Sequence, residues 1–141
     1  MFHEQRTTVP DAPGDLRAEY HRDLSAVLET TGASDAAAAT DLEPETIDAV
    51  LADDDPELSL EEAAQIQALT DGAPDAETIV TIACEHLLLG MTTAVLDVDA
   101  LESELAIAMD AKEIQQKIEQ RAPMSFDEYV HIQHAIVANT P

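Results

Sequence analysis

The chain has 141 residues, with 30 Asp and Glu against six Lys and Arg, and a formal charge of −24. A hydrophobic content of 45% excludes a disordered polyelectrolyte, and the length suits one ordinary domain or two very small ones sharing a core. The single cysteine, Cys84, excludes an intramolecular disulfide, and no stretch approaches the roughly 18 apolar residues of a membrane span. The polar start MFHEQRTTVPDAPGD has no apolar signal core, so the sequence predicts a soluble, cytoplasmic protein.

Residues 1–14, with breakers Pro10, Pro13 and Gly14, are predicted to be a flexible lead-in. Leu16, Tyr20, Leu24 and Leu28 then recur every fourth residue and place one apolar face on a helix that Thr31-Gly32 ends. Ser34 is expected to cap a short alanine helix reaching Ala39. Pro44 suits the first turn of the next helix, whose apolar face is Ile47, Val50 and Leu51, and the run Asp53-Asp54-Asp55-Pro56 breaks it. Ser59 with Glu62 forms a capping box for a helix carrying Leu60, Ala63, Ile66 and Leu69, stopped by Asp71-Gly72.

The second half runs through the same events. Pro74 or Asp75 opens a long helix with Ile79, Ile82, Ala83, Leu87 and Met91 on its buried side, and Gly90 caps or bends it. Cys84 is expected to act as a small buried hydrophobe within it. Asp99 with Glu102 and Asp110 with Glu113 read as two further capping boxes, the second leading into Ile114 and Ile118. Pro123 breaks that helix. Ser125 with Glu128 is the last box, followed by Phe126, Tyr129, Ile132 and Ile136. No run alternates with the period of a strand, so the fold class is all-α. Aromatic residues are so few that the core is predicted to be aliphatic.

Residues 41–69 and 108–136 align with one deletion: Ile47 meets Ile114, Leu51 meets Ile118, Pro56 meets Pro123, Ser59 meets Ser125, Glu62 meets Glu128 and Ile66-Gln67 meets Ile132-Gln133. The chain is therefore divided into a lead-in (1–14), a first four-helix unit (15–72) and a second (73–141) packed on a shared core. ATDLEPETIDAVLA…SLEEAAQIQAL resembles the helix-turn-helix core of the lambda-repressor-like DNA-binding superfamily, and AKEIQQKIEQRAPMSFDEYVHIQHAI resembles a second such core. The glycine common after the recognition helix is absent from both. The whole chain also resembles an uncharacterised family of haloarchaeal proteins, which implies no known activity.

The resemblance implies that the helix carrying PETIDAVLA in the first unit, and the one carrying AKEIQQKIEQ in the second, would enter a major groove. In the first unit its outward residues are Glu45 and Asp48, followed by Asp53-Asp54-Asp55, which repel phosphate. In the second they are Lys112, Gln115 and Gln116, with Lys117 and Arg121 at the flanks; Gln pairs with adenine edges, and Lys and Arg reach guanine or phosphate. Half of the chain's positive residues lie here. The competing reading is a solvated helix with ordinary pairs such as Glu113 with Lys117. Two functions follow: a DNA-binding transcriptional regulator acting through residues 111–121, conceivable as a homodimer, or a protein-interaction module that docks a partner on the acidic face of residues 44–56.

Other clusters carry less. Glu128, His131 and His134 sit three residues apart, a spacing that binds metal only when another helix supplies ligands, and His3, His21 and His86 are scattered, so no metal or cofactor is expected. No Gly-rich phosphate loop, Ser-His-Asp order or zinc spacing appears, and no enzyme is read. The carboxylates are spread along the whole chain, and their mutual repulsion is screened near molar salt, where the Debye length is roughly 3 Å. The composition is that expected of a cytosolic protein in a salt-accumulating haloarchaeon; an acidic nucleic-acid mimic is the competing reading.

Overall fold

The computed structural model describes residues 1–141 and contains eight α-helices and no strand. α1 (Pro13–Thr31) starts with proline at its first turn, where a missing N–H costs nothing, and ends at Gly32, whose φ of 88° is open to glycine and whose N–H reaches Leu28 O at 2.8 Å. α2 (Ala33–Ala39) begins one residue before Ser34, so that serine is inside the helix and caps nothing. α3 (Pro44–Leu51) leads into a turn in which Asp53 and Asp55 are left-handed, a conformation Asp tolerates better than most residues. α4 (Leu60–Gln67) carries the full Ser59–Glu62 capping box.

α5 (Ala76–Ala94) is capped by Asp75, whose carboxylate accepts from Thr78 N at 2.8 Å. Gly90 lies inside it and does not end it. A Cβ there would lie 2.7 Å from Ile136 Cγ2, so the glycine permits close approach of α5 to α8 (Phe126–Ala138). α6 (Val98–Glu104) is capped by Asp97 rather than Asp99. Glu102 is spent on the next helix instead, accepting from Ala111 N at 2.6 Å. α7 (Ala111–Ile118) has only half of its expected box: Asp110 accepts from Glu113 N, while the Glu113 carboxylate turns to Lys117. Leu51, Leu69 and Ile82, expected in the core, are half-buried.

Aligned positions of the two halves are buried alike. The buried face of α1 is Leu16, Tyr20, His21, Leu24 and Leu28, and that of α5 is Ile79, Ala83, Cys84, Leu87 and Met91, at identical spacing. Ile47 and Ile114, each the fourth residue of its helix, are both buried. Leu60, Ala63, Ala64, Ile66 and Gln67 of α4 correspond to Phe126, Tyr129, Val130, Ile132 and Gln133 of α8, all buried. The halves meet reciprocally: Ser59 and Ser125 form an isolated antiparallel bridge, Leu60 N donates to Met124 O at 2.9 Å, and Phe126 N donates to Leu58 O at 2.8 Å. α4 packs on α5, α8 packs on α1, and α4 meets α8. One apolar cluster of 30 buried residues runs through both halves.

The segment before α1 departs from expectation. Phe2 is 1% exposed and stands edge-on to Tyr20, Phe126 and Tyr129 at centroid distances of 6.3, 5.1 and 5.7 Å. All four aromatic residues of the chain thus share one cluster, and the core is aliphatic only elsewhere. Tyr129 Oη donates to Phe2 O at 2.8 Å, His86 Nδ1 to His3 O and His134 Nε2 to Pro10 O, each at 2.7 Å. Arg6 pairs with Glu19 at 3.0 Å and lies over the Tyr20 ring. A proline-broken polar stretch has no helical pattern. It is ordered here because side chains from α5 and α8 supply its backbone with partners, and α1 holds the Arg6 side chain.

Truncating a buried Phe to Ala costs about 3–5 kcal/mol where the cavity cannot collapse. For Phe2→Ala we expect the lower end, because the arm detaches instead of leaving a void. Chemical denaturation reads the loss, and trypsin should then cut after Arg6 at a rate at which the wild type stays intact. Because carboxylates crowd the surface, the melting temperature should also rise from dilute buffer to molar KCl; a flat profile across that range removes the screening argument.

Candidate interaction surfaces

α7 is built to show one face outward. Ile114 and Ile118 are buried, while Lys112 and Gln115 are exposed and Gln116 is half-buried. Lys117 does not face solvent: its side chain is 13% exposed, with Nζ 3.0 Å from Glu113 Oε2 and in contact with the Glu128 carboxylate. Burial works against the Lys117 charge, but the two carboxylates outweigh it and hold its pKa above the ordinary value. Burial likewise pushes the Glu128 carboxyl up, yet Lys117 and the Ser125 amide more than offset this and hold it below the usual range. Gln115 donates to Glu119 Oε2 at 3.2 Å, and the exposed Arg121 pairs with Glu119 Oε1 at 2.9 Å. The five residues are brought onto one helix and its following turn. Of them, Lys112 and Gln116 have no side-chain partner, and each of the two other cations is matched by at least one carboxylate.

The acidic stretch is also divided. Glu43, Glu45 and Asp48 are exposed and make no side-chain bond, but part of the aspartate run clasps α1. Arg17 Nη2 reaches Asp55 Oδ1 at 2.9 Å and Pro56 O at 3.2 Å, while Nη1 lies 3.5 Å from Asp127. His21 Nε2 is 2.9 Å from Asp53 Oδ1. The signal available in the sequence was Arg17 and His21 one turn apart on α1, facing the loop that follows α3. The Glu128-His131-His134 spacing is dispersed among three different partners: Lys117 for Glu128, Asp127 O for His131 at 2.9 Å and Pro10 O for His134. Cys84 is buried, and burial pushes its thiol up to about 11.

A surface not anticipated lies at the end of α5. Leu88, Leu89 and Val95 are 46%, 58% and 87% exposed. Val95 is the left-handed C-cap of α5, with φ 56° and ψ 46°, a conformation costing an L-residue roughly 1–2 kcal/mol and least suited to a β-branched side chain. The run HLLLGM, with three consecutive leucines, exceeds what one face of a helix can bury.

A family model matches residues 16–139. The chain belongs to DUF5791, a family of unknown function. The match begins at the first buried residue of α1 and ends at the C-cap of α8, so in this DUF5791 protein it spans both halves and leaves the docked arm outside. Comparison with curated proteins and with solved structures finds no match. In this family member no single helix is long and apolar enough to cross a membrane.

The Lys117 pair sets an acid-sensitivity test in this DUF5791 chain. Removing the ammonium with Lys117→Ala leaves two carboxylates facing each other at partial burial, at a cost of about 1–3 kcal/mol near neutral pH. A carboxyl whose folded pKa is depressed adds stability above its unfolded value, and that stability is lost as pH falls through the folded one. The unfolded value for Glu128 is 4.5. The stability gap between wild type and variant should therefore be constant between that value and the 10.5 of an ordinary lysine, close below it as Glu128 is protonated, and shrink again at higher pH as Lys117 loses its charge. A gap independent of pH down to 3 contradicts the pairing.

Proposed function

We propose that this chain is a protein-interaction module built on a helix-turn-helix-like scaffold, with the outer face of α3 as its docking surface. The observation that carries this reading is the pairing of charge on the two corresponding helices. On α7, Lys117 and Arg121 are engaged by Glu113, Glu128 and Glu119, so the helix offers phosphates little net positive charge. At the cap of α3 and along it, Glu43, Glu45 and Asp48 are exposed without a cation, so this helix offers a partner an unneutralised acidic strip. A duplex carries one negative charge per ~1.7 Å and is held largely by Lys and Arg neutralising phosphates. A chain of charge −24 approaches DNA only with its own field screened, and then has few cations with which to hold it.

A second reading keeps DNA in view on one specific observation. Lys112, Gln115 and Gln116 stand in sequence at the start of α7, and Lys112 is exposed and unpaired. They are the residue types that read adenine and guanine edges. In this reading the protein is a transcriptional regulator working at the molar salt its surface suits.

One experiment separates the two. Wild type, a Lys112→Ala/Gln115→Ala/Gln116→Ala variant and a Glu45→Gln/Asp48→Gln variant are compared in two assays. The first is enrichment of genomic fragments at molar KCl. The second is crosslinking of protein neighbours in the cells that make the chain. The module reading expects no fragment above background for any protein, and neighbours that are lost only with Glu45→Gln/Asp48→Gln. Fragments enriched by wild type and lost in the α7 variant, at about 1–3 kcal/mol per base contact, would transfer the proposal to DNA.

A further inference from the structure

The two halves of this molecule provide their own control, because each position of α5 has a counterpart at the same spacing on α1. The counterparts of Leu88, Leu89 and Val95 are Ser25, Ala26 and Gly32. In the first half the helix thus ends as its backbone requires, with glycine at φ 88°. In the second half a valine is held at φ 56° with 87% of its surface in solvent. The Val95 side chain, so exposed, adds no packing to the core. A left-handed position is given to a side chain that dislikes it, and two adjacent positions about two turns earlier carry exposed leucines where a small or polar residue suffices.

The charge around these residues is equally one-sided. From Leu87 to Leu96 the chain has no charged residue, although more than a quarter of its residues are charged. The exposed residues Glu85, Asp97 and Asp99 flank this stretch in sequence, and no Lys or Arg occurs between Arg22 and Lys112. A second copy seated on this patch would bring those same carboxylates against each other. A partner that matches it has an apolar centre and a basic border.

We infer that the outward face of the last turns of α5 is a docking site for an amphipathic helix of another protein, one with an apolar stripe flanked by Lys or Arg. Leu88, Leu89 and Val95 supply the apolar contact, and Glu85, Asp97 and Asp99 select the basic flanks. Exposed apolar clusters on a charged monomer mark such sites, and a helix laid on an apolar strip is a recurrent mode of recognition. This surface lies on α5 and stands whether or not α3 binds a partner.

The test grafts the first half's own residues onto the second: Leu88→Ser with Leu89→Ala, and separately Val95→Gly. The probe is a synthetic amphipathic peptide with leucines on one face and lysines on its flanks. It is compared with the same peptide carrying glutamates for lysines and with a scrambled peptide of unchanged composition. Affinities are read by fluorescence anisotropy on the full chain at 0.2 and 1 M KCl. We expect the lysine-flanked peptide to bind about tenfold more tightly than either control at 0.2 M, and each graft to weaken it about tenfold. The advantage over the glutamate peptide should shrink at 1 M as charge is screened. Val95→Gly should melt at or above the wild-type temperature, since it relieves strain. The inference is overturned if the grafts leave binding unchanged, if the scrambled or glutamate peptide binds equally at 0.2 M, or if Val95→Gly melts lower. It is overturned too if sedimentation shows wild type pairing with itself through this patch and the grafts monomeric, which makes a second copy the occupant.

Discussion

The molecule depends on two helix beginnings that satisfy each other. The first N–H groups of any helix lack an intrahelical acceptor. In α4 and α8 the third of them is taken by the cap serine, and the first by the carbonyl that precedes the other helix's cap. Ser59 and Ser125 are therefore at once local caps and the seam between the halves. Each bond has a modest net worth, about 1 kcal/mol, but neither can form unless both helices start in register. That fixes α4 against α8, and with them α5 and α1, so a shared core follows from a local requirement.

The seam was half legible in the sequence. Both capping boxes could be read from Ser-x-x-Glu, and their alignment brought Ser59 onto Ser125. That the two would bond to each other could not be read, because a cap signature describes one helix and is silent about which carbonyl its first N–H finds. The same limit explains the reassigned caps. Asp97 and Asp99 are two residues apart, and either suits the start of α6; the choice falls on Asp97 because Glu102 is drawn away to Ala111. Helices and most core rows were legible because apolar spacing alone sets them. The arm was not, since Phe2 is an isolated aromatic in a polar stretch, and its pocket is assembled from α1 and α8, over a hundred residues apart.

For the surfaces, residue type was legible and availability was not. A cluster of Lys112, Lys117 and Arg121 looks alike on paper whether the charges face solvent or carboxylates. Glu128, on a different helix from Lys117, decides the matter for the most buried of the three. The aspartates after α3 likewise divide by what lies opposite: Asp53 and Asp55 are tied to His21 and Arg17 of α1. The apolar row through Leu87 and Met91 leaves Leu88 and Leu89 off the buried side. Their exposure becomes informative only when α1 shows what the same helix needs at those positions.

The gathering of Phe2, Tyr20, Phe126 and Tyr129 gives the chain a spectroscopic address. With no tryptophan and both tyrosines in that single cluster, near-ultraviolet dichroism arises wholly from the junction of the arm with α1 and α8. The far-ultraviolet signal is set by the eight helices. Loss of the first with retention of the second is the optical signature of an undocked arm on an intact helical body, obtained without any label.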